Sequence, residues 1–396
     1  MSRSVQVPVL ELPDVDRHSL ISYRQRRLLE QMELAGVDAM VLMNPVSLRY
    51  AADWREYALF QAHIPTCYLV LRSDGSSVMF GAYADEHDWI GEFRPGHHPN
   101  VFDSGTDVTA IATGFAGDVT SVVAPDAVVA VERVNPSCVQ ALEATSVRVV
   151  DAEPLVEWAR AIKSSDELVC MRHTIAVAEA AIATMRQQCE PGVSENELFA
   201  ILHQVNVAND GDWIDGRMLC SGPRTNPWYQ ESSARKIEAG DLLAFDTDMI
   251  GPFGYCADIS RTWLVGDGEP TEAQRAAYRR AHDEVTHNAD LLVPGLTFHE
   301  LSMKSFAQPD EYIANRYACV VHSVGMSDEW PRVWYRQDWE RHGYDGEFAE
   351  NMVVSVESYI GSEHGGPGVK LEQMYLIEAD GASPISSYPY EDDLLA

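Results

Sequence analysis

Three aspartates, one histidine and two glutamates in the C-terminal half stand in apolar stretches of chain where an isolated charge would be costly. The segment DLLAFDTDMIGPFGYCADISRTW begins as an apolar strand and carries Asp246 and Asp248, two residues apart and so on one face of a strand. A glycine-containing turn, IGPFGY, sends the chain back and sets Asp258 opposite them. Downstream, CVVHSVGMSDEW puts His322 at the end of a short apolar run and ahead of a glycine turn. NMVVSVESYIG and GVKLEQMYLIEA each place one glutamate, Glu357 and Glu372, in mid-strand. Singly, each has a plainer reading: Asp248 or Asp258 paired with Arg261, His322 as a satisfied core histidine. As a set they point to divalent cations, which relieve the mutual repulsion of converging carboxylates. Five carboxylates and one imidazole favour hard or borderline ions such as Mn²⁺ or Fe²⁺ over a thiolate zinc site, with zinc and cobalt as alternatives. Six ligands exceed what one ion takes from protein, so two metal ions about 3.5–4 Å apart, bridged by carboxylates, are expected.

The elements that must position this set fall into two parts. HSLISYRQRRLLEQMELAG reads as a helix closed by Gly36, and VDAMVLM follows as a buried strand. TCYLVLRSDGSSVMFG predicts two strands across a Ser-Asp-Gly-Ser turn, and VTSVVAPDAVVAVERV predicts two more short ones. An α/β unit over residues 1–160 is therefore expected, with a second unit over 161–396. The second opens with a long helix in SSDELVCMRHTIAVAEAAIATMRQQCEPG, with Ser165 as its cap and Pro191-Gly192 at its end. PGVSENEL then carries a capping box at Ser194 and Glu197, and PGLTFHEL repeats it at Thr297 and Glu300. The repeat predicts that the second unit consists of two similar α/β halves.

Composition narrows the function classes. Hydrophobic residues are 46% and charged residues 23% of 396, as in ordinary globular proteins. With 61 acidic against 29 basic residues the net charge is -32, which repels phosphate and excludes a nucleic-acid partner. Seven cysteines are scattered with no Cys-x-x-Cys pair, as expected of reduced thiols in the cytoplasm. MSRSVQVPVLELPDVDRHSL has no apolar leader core, and no run of about 20 apolar residues occurs, so neither export nor membrane insertion is expected.

Asp246, Asp258, His322, Glu357 and Glu372, in that order and those strand contexts, resemble the ligands of the methionine aminopeptidase, prolidase and creatinase superfamily. IKSSDELVCMR resembles its interdomain linker. The resemblance implies an α/β (α+β) chain: a creatinase-like N-terminal domain, a pita-bread catalytic domain, and a homodimer in which the N-terminal domain helps cover the partner's site. Three departures matter. SGPRTNPWYQ offers Trp228 and Tyr229 where the peptidases carry a histidine, and HSVGMSDEW supplies Asp328 and Glu329 around the place of a second one. The first and last aspartates are twelve residues apart instead of eleven, with Asp248 between them. This combination resembles the dimethylsulfoniopropionate lyases of the DddP type, which implies a small sulfonium substrate, β-elimination to dimethyl sulfide and acrylate, and iron as the metal. A prolidase- or creatinase-like hydrolase is the alternative.

Under that resemblance, metal ions bind the substrate carboxylate and Asp328 is the base that removes the neighbouring proton, its acidity lowered in an apolar, Trp-lined pocket. Tyr317, five residues before His322, is assigned to orient substrate or ligand. Aromatic faces suit a sulfonium, which cannot donate hydrogen bonds, so Trp228, Tyr229, Trp330 and Trp334 are candidate contacts. Trp54, in YAADWREY, is expected to reach over from the partner subunit.

Overall fold

A computed structural model describes residues 6–84 and 86–396. The first five residues of the leader reading above therefore lie outside the described residues. The chain divides into two compact units, Asp16–Arg160 and Ala161–Ala396, and the described residues of Met1–Val15 belong with the second. The tie is polar: Leu10 N–H donates to Asn209 Oδ1 at 2.7 Å, and Asn209 Nδ2 donates to the Pro8 carbonyl at 2.9 Å.

In the N-terminal unit, helix Arg17–Ala35 begins at Asp16, whose carboxylate accepts from His18 and Ser19 N–H, and stops at Gly36, where φ is 64°. It leads into β1 (Ala39–Leu42), whose four residues are all buried at the centre of a six-stranded sheet. The others are β2 (Tyr68–Arg72), β3 (Ser77–Phe80), β4 (Glu92–Arg94), β5 (Val128–Val131) and β6 (Arg148–Asp151), ordered β4-β3-β2-β1-β5-β6. The predicted hairpin across Ser-Asp-Gly-Ser is β2–β3. VTSVVAPDAVVAVERV supplies one strand, not two. Ile111, Ala112, Phe115, Ala116 and Val119 bury one face at helical spacing, so helix Val108–Thr120 claims the first valine, Val122 and Val123 fall in the turn that follows, and β5 takes the later ones.

The second unit opens with helix Ser165–Gln188. Its cap is Ser164, one residue earlier than expected: Ser164 Oγ accepts from Glu167 N–H at 3.2 Å and Glu167 returns the bond at 2.8 Å. Among the described residues this is the one helix long and apolar enough to cross a membrane. Its apolar side chains are core: Cys170, Met171, Ile175, Ala178, Ala181, Ile182 and Met185 are buried.

The repeat is visible in the backbone. Helix Glu195–Ala208 starts at the Ser194 box and helix Phe298–Lys304 at the Thr297 box. Ahead of each cap the chain makes the same ladder: Gly192 N–H to Ile237 O and Gly295 N–H to Phe348 O, both 2.8 Å. Ile237 N–H then bonds Val193 O at 2.9 Å and Phe348 N–H bonds Leu296 O at 3.0 Å. Nine residues beyond Ile237 lies Asp246; nine beyond Phe348 lies Glu357.

Strands then differ between the halves. The first half uses β7 (Trp213–Ile214), β8 (Leu219–Ser221), β9 (Leu242–Phe245), β10 (Met249–Ile250), β11 (Cys256–Ala257) and β12 (Arg261–Leu264), in two short sheets ordered β11-β10-β7 and β12-β9-β8. The second uses β13 (Val321–Val324), β14 (Asp328–Val333), β15 (Val353–Gly361), β16 (Gly368–Glu378) and β17 (Gly381–Pro384) in one sheet, β14-β13-β15-β16-β17.

Candidate metal centre

The three aspartates are not presented by the regular strand expected of them. β9 ends at Phe245, so Asp246 falls just past it, and Asp248 has a φ of 35°, which breaks the alternation that would put both on one strand face. Thr247 stitches the gap: its hydroxyl donates to the Ala257 carbonyl at 2.7 Å and accepts from Ile259 N–H at 2.9 Å, bracketing Asp258. The second half delivers its ligands regularly. Glu357 in β15 lies directly opposite Glu372 in β16, and both are fully buried. His322, second residue of β13, faces Ser355 across the ladder.

These elements bring the six residues together. Potential ligand atoms of Asp258, His322, Glu357 and Glu372 lie within 4.8 Å of one another, and so do those of Asp246, Asp248 and Asp258. Asp258 is common to both groups, as a bridging carboxylate would be. His322 Nδ1 is 3.0 Å from the Ser323 carbonyl, which only accepts, so in the neutral ring Nδ1 bears the proton and Nε2 keeps its lone pair. Nε2 points at Glu357 Oε1 (3.0 Å), Asp258 Oδ2 (3.2 Å) and Glu372 Oε1 (3.6 Å). Arg261 bonds carbonyls of Ser260, Glu372, Tyr388 and Pro389 and the Gln373 side chain, which disposes of the plainer reading of Asp248 and Asp258 as its partners.

Sequence reasoning overlooked a cation inside the cluster. Lys370 Nζ, on a fully buried side chain, lies 2.5 Å from Glu357 Oε2, 3.1 Å from Glu372 Oε2, 3.2 Å from Asp246 Oδ2 and 2.6 Å from Ser260 Oγ. Ser260 Oγ also donates to Glu372 Oε2 at 2.8 Å. The signal was present: Lys370 stands two residues before Glu372 in an apolar strand, hence on the same face.

One ammonium does not balance five carboxylates. Burial, then the Glu372 charge, pushes Asp246 up to about 6 and Glu357 up to about 7. Asp248 and Asp258 are driven well above the usual carboxylate range, first by burial and then by neighbouring carboxylates. For Glu372 burial works the same way, but Lys370 and then His322 outweigh it and hold the group well below its ordinary value. Burial opposes charge on His322, yet Asp328, Asp258, Glu357 and Glu372 raise it well above normal. Asp258 Oδ1 and Glu372 Oε1 are buried without a hydrogen-bond partner. Orphaned oxygens among mutually repelling carboxylates fit divalent cations.

The other predicted site residues separate. Tyr317 lies in the site, its ring 4.5 Å below Lys370 Nζ, and Tyr229 stacks on it at 5.7 Å with 57% of its surface exposed. Asp328 Oδ1 is 3.9 Å from His322 Nδ1, but its side chain is 61% exposed, so the Trp-lined enclosure expected around it is absent. Trp228 is 4% exposed and packs in a small core with Tyr359, Cys220 and Ala244; the cation near its face is Lys370, at 5.9 Å. Trp330 packs edge-on against Phe298 at 5.6 Å, on the core of its own unit. Trp334 stacks on His342 at 4.6 Å beneath the Arg332 guanidinium. Trp54 is 5% exposed and packed between His87 and Phe93, so the indole expected to reach a partner's site is enclosed by its own unit.

Residues 169–379 match the model of metallopeptidase family M24, and the chain belongs to that family. The class is therefore that of the metal-dependent pita-bread enzymes. Among solved structures, X-Pro aminopeptidase from Thermotoga maritima superposes with a TM-score of 0.73 at 19% identity, covering 93% of this chain and 98% of that one. Within the class the sequence falls with one branch. It is 34% identical to dimethylsulfoniopropionate lyase DddP of Roseovarius nubinhibens and 33% identical to that of Roseobacter denitrificans, each over 98% of this chain and 89% of the relative.

Proposed function

We propose that the protein is a metal-dependent lyase that cleaves dimethylsulfoniopropionate to dimethyl sulfide and acrylate. The enzyme class is that of two relatives matched over 89% of their length. The observation that carries the mechanism is the placement of Asp328, whose carboxylate lies 3.9 Å from His322 at the edge of the cluster. Asp246, Asp248, Asp258, His322, Glu357 and Glu372 are the proposed ligands of two divalent ions; the oxygen-rich donor set favours Mn²⁺ or Fe²⁺, and iron is the metal that the resemblance to the lyases implies. Such ions, when bound, supply Lewis acidity toward the substrate carboxylate and so toward negative charge developing on the adjacent carbon.

The chain's own residues do the rest. Asp328 takes the proton from the carbon next to the carboxylate; the carbon–carbon double bond forms as the carbon–sulfur bond breaks, and the bonding pair leaves with sulfur as neutral dimethyl sulfide. Exposure of Asp328 lets it return the proton to water. Tyr229, 57% exposed and stacked on Tyr317, presents the aromatic face that remains for the sulfonium, while Tyr317 already lies against Lys370 Nζ. A homodimer is proposed as well: Phe60 and Phe102, both exposed and in edge contact at 6.1 Å on the N-terminal unit, are surface for a second copy to cover. Seven free, buried cysteines suit the cytoplasm.

Headspace gas chromatography of metal-analysed protein tests the reading, with Asp328→Ala, His322→Ala and Xaa-Pro dipeptides in parallel. Dimethyl sulfide from the wild type, with the rate lowered about 10²-fold or more to a residual level in both variants while Asp328→Ala keeps its metal, is the expected result. Release of proline without dimethyl sulfide would return the protein to the hydrolases.

A further inference from the structure

Beside Asp328 is a second acidic residue that the mechanism above does not use. Glu329 points the other way along β14, into the protein: its side chain is 0% exposed and pairs at 2.8 Å with Lys163 Nζ, itself 1% exposed. The other carboxylate oxygen, Oε1, accepts from Met326 N–H at 2.8 Å. The turn between β13 and β14 is thus folded around this carboxylate. A Cβ on Gly325 would fall 2.2–2.5 Å from the Glu329 carboxylate atoms, so only glycine leaves room for it. The same turn is fixed from outside by Cys256 N–H, which donates to the Gly325 carbonyl at 2.7 Å from β11, two residues before Asp258. Lys163 is held in turn by its backbone N–H, bonded to Asn351 O at 2.9 Å.

Asp328 lies between the turn and this anchored residue, opposite Val324 in the ladder. We infer that the buried Lys163–Glu329 pair is a positioning device for Asp328: it sets the β13–β14 turn, and so the distance of the Asp328 carboxylate from the reacting carbon. Neither residue touches the reacting atoms. The inference rests on the reading of Asp328 as base. A buried pair stripped of one member leaves an uncompensated charge, whereas loss of both charges is close to neutral for folding, so the double variant Lys163→Met/Glu329→Gln isolates the positioning role.

The test is a cycle on the metal-loaded enzyme with dimethylsulfoniopropionate, made in the wild-type and Asp328→Ala backgrounds. The expected result is that Lys163→Met/Glu329→Gln lowers kcat by about tenfold to a hundredfold in the wild-type background, with KM and metal content kept, and has no further effect once Asp328 is alanine. Amide exchange at Met326, read by mass spectrometry, should quicken in the same variant. An equal loss in both backgrounds, or no loss in either, would overturn the inference. A wild type without lyase activity, or an Asp328→Ala variant with full activity, would sink the reading of the base, while Met326 exchange would still decide whether the pair sets the turn. If the double variant does not fold, Lys163→Arg, which keeps the pair but shifts the carboxylate, carries the same comparison.

Discussion

The two halves of the second unit start from the same backbone plan and end in different chemistry. Both run helix, Pro-Gly, capping box, helix, and both close the same small ladder before the strand that reaches the site. From there the first half breaks its strands into two- to four-residue pieces and hangs Asp246, Asp248 and Asp258 on their ends, stitched by Thr247. The second half runs nine and eleven residues unbroken and holds Glu357 and Glu372 face to face, with Lys370 between them. Short strands place three carboxylates within reach of one ion; long ones supply a rigid wall with its own countercharge.

The comparison breaks most completely if ligands are removed from either half. Asp258→Asn in the first and His322→Ala in the second should each lose metal by plasma emission, and lose roughly 10³-fold in rate, since Lewis-acid stabilisation is worth several kcal/mol. If one variant keeps metal and rate, the halves are not equal partners. Lys370→Met tests the countercharge. In metal-free protein it should cost about 3–5 kcal/mol by urea unfolding, because three carboxylates lose a buried partner.

A further asymmetry lies in the helices. Ten residues before the shared Pro-Gly stand Ala181 in one half and Glu284 in the other. Glu284 is buried and accepts from Ser358, Gln308 and Tyr335; burial pushes its carboxyl up from 4.5 to about 7. A group raised in the folded state contributes stability that is complete below its unfolded value and is lost as pH rises through the folded one. Wild-type unfolding free energy should therefore fall between pH about 5 and 8 by up to about 3 kcal/mol relative to Glu284→Gln. The smallest effect belongs to what the halves share: Ser194→Ala and Thr297→Ala should each cost about 1 kcal/mol in chemical denaturation.

How much of this was legible in the sequence follows the same division. Glu357, Glu372 and His322 were readable because each interrupts an apolar strand whose alternation is regular, and the repeat was readable because capping boxes are local. The arrangement at Asp246 and Asp248 was not, since a left-handed φ and the Thr247 bonds depend on a strand that arrives ten residues later. Aromatic residues were the least legible. Whether an indole such as Trp54 or Trp228 is open or enclosed is decided by distant partners, here His87 and Phe93 in one case and Tyr359 in the other.

The bond between Asn209 and the backbone of Pro8 and Leu10 also has a consequence for synthesis. The ribosome makes Pro8 and Leu10 before Asp16–Arg160, a unit with its own core that is synthesised in full before Asn209 exists as polypeptide. Pro8 and Leu10 therefore lack this partner while a whole domain emerges behind them. Folding of the second unit captures them afterwards, so a segment made before the first domain finds its place after it.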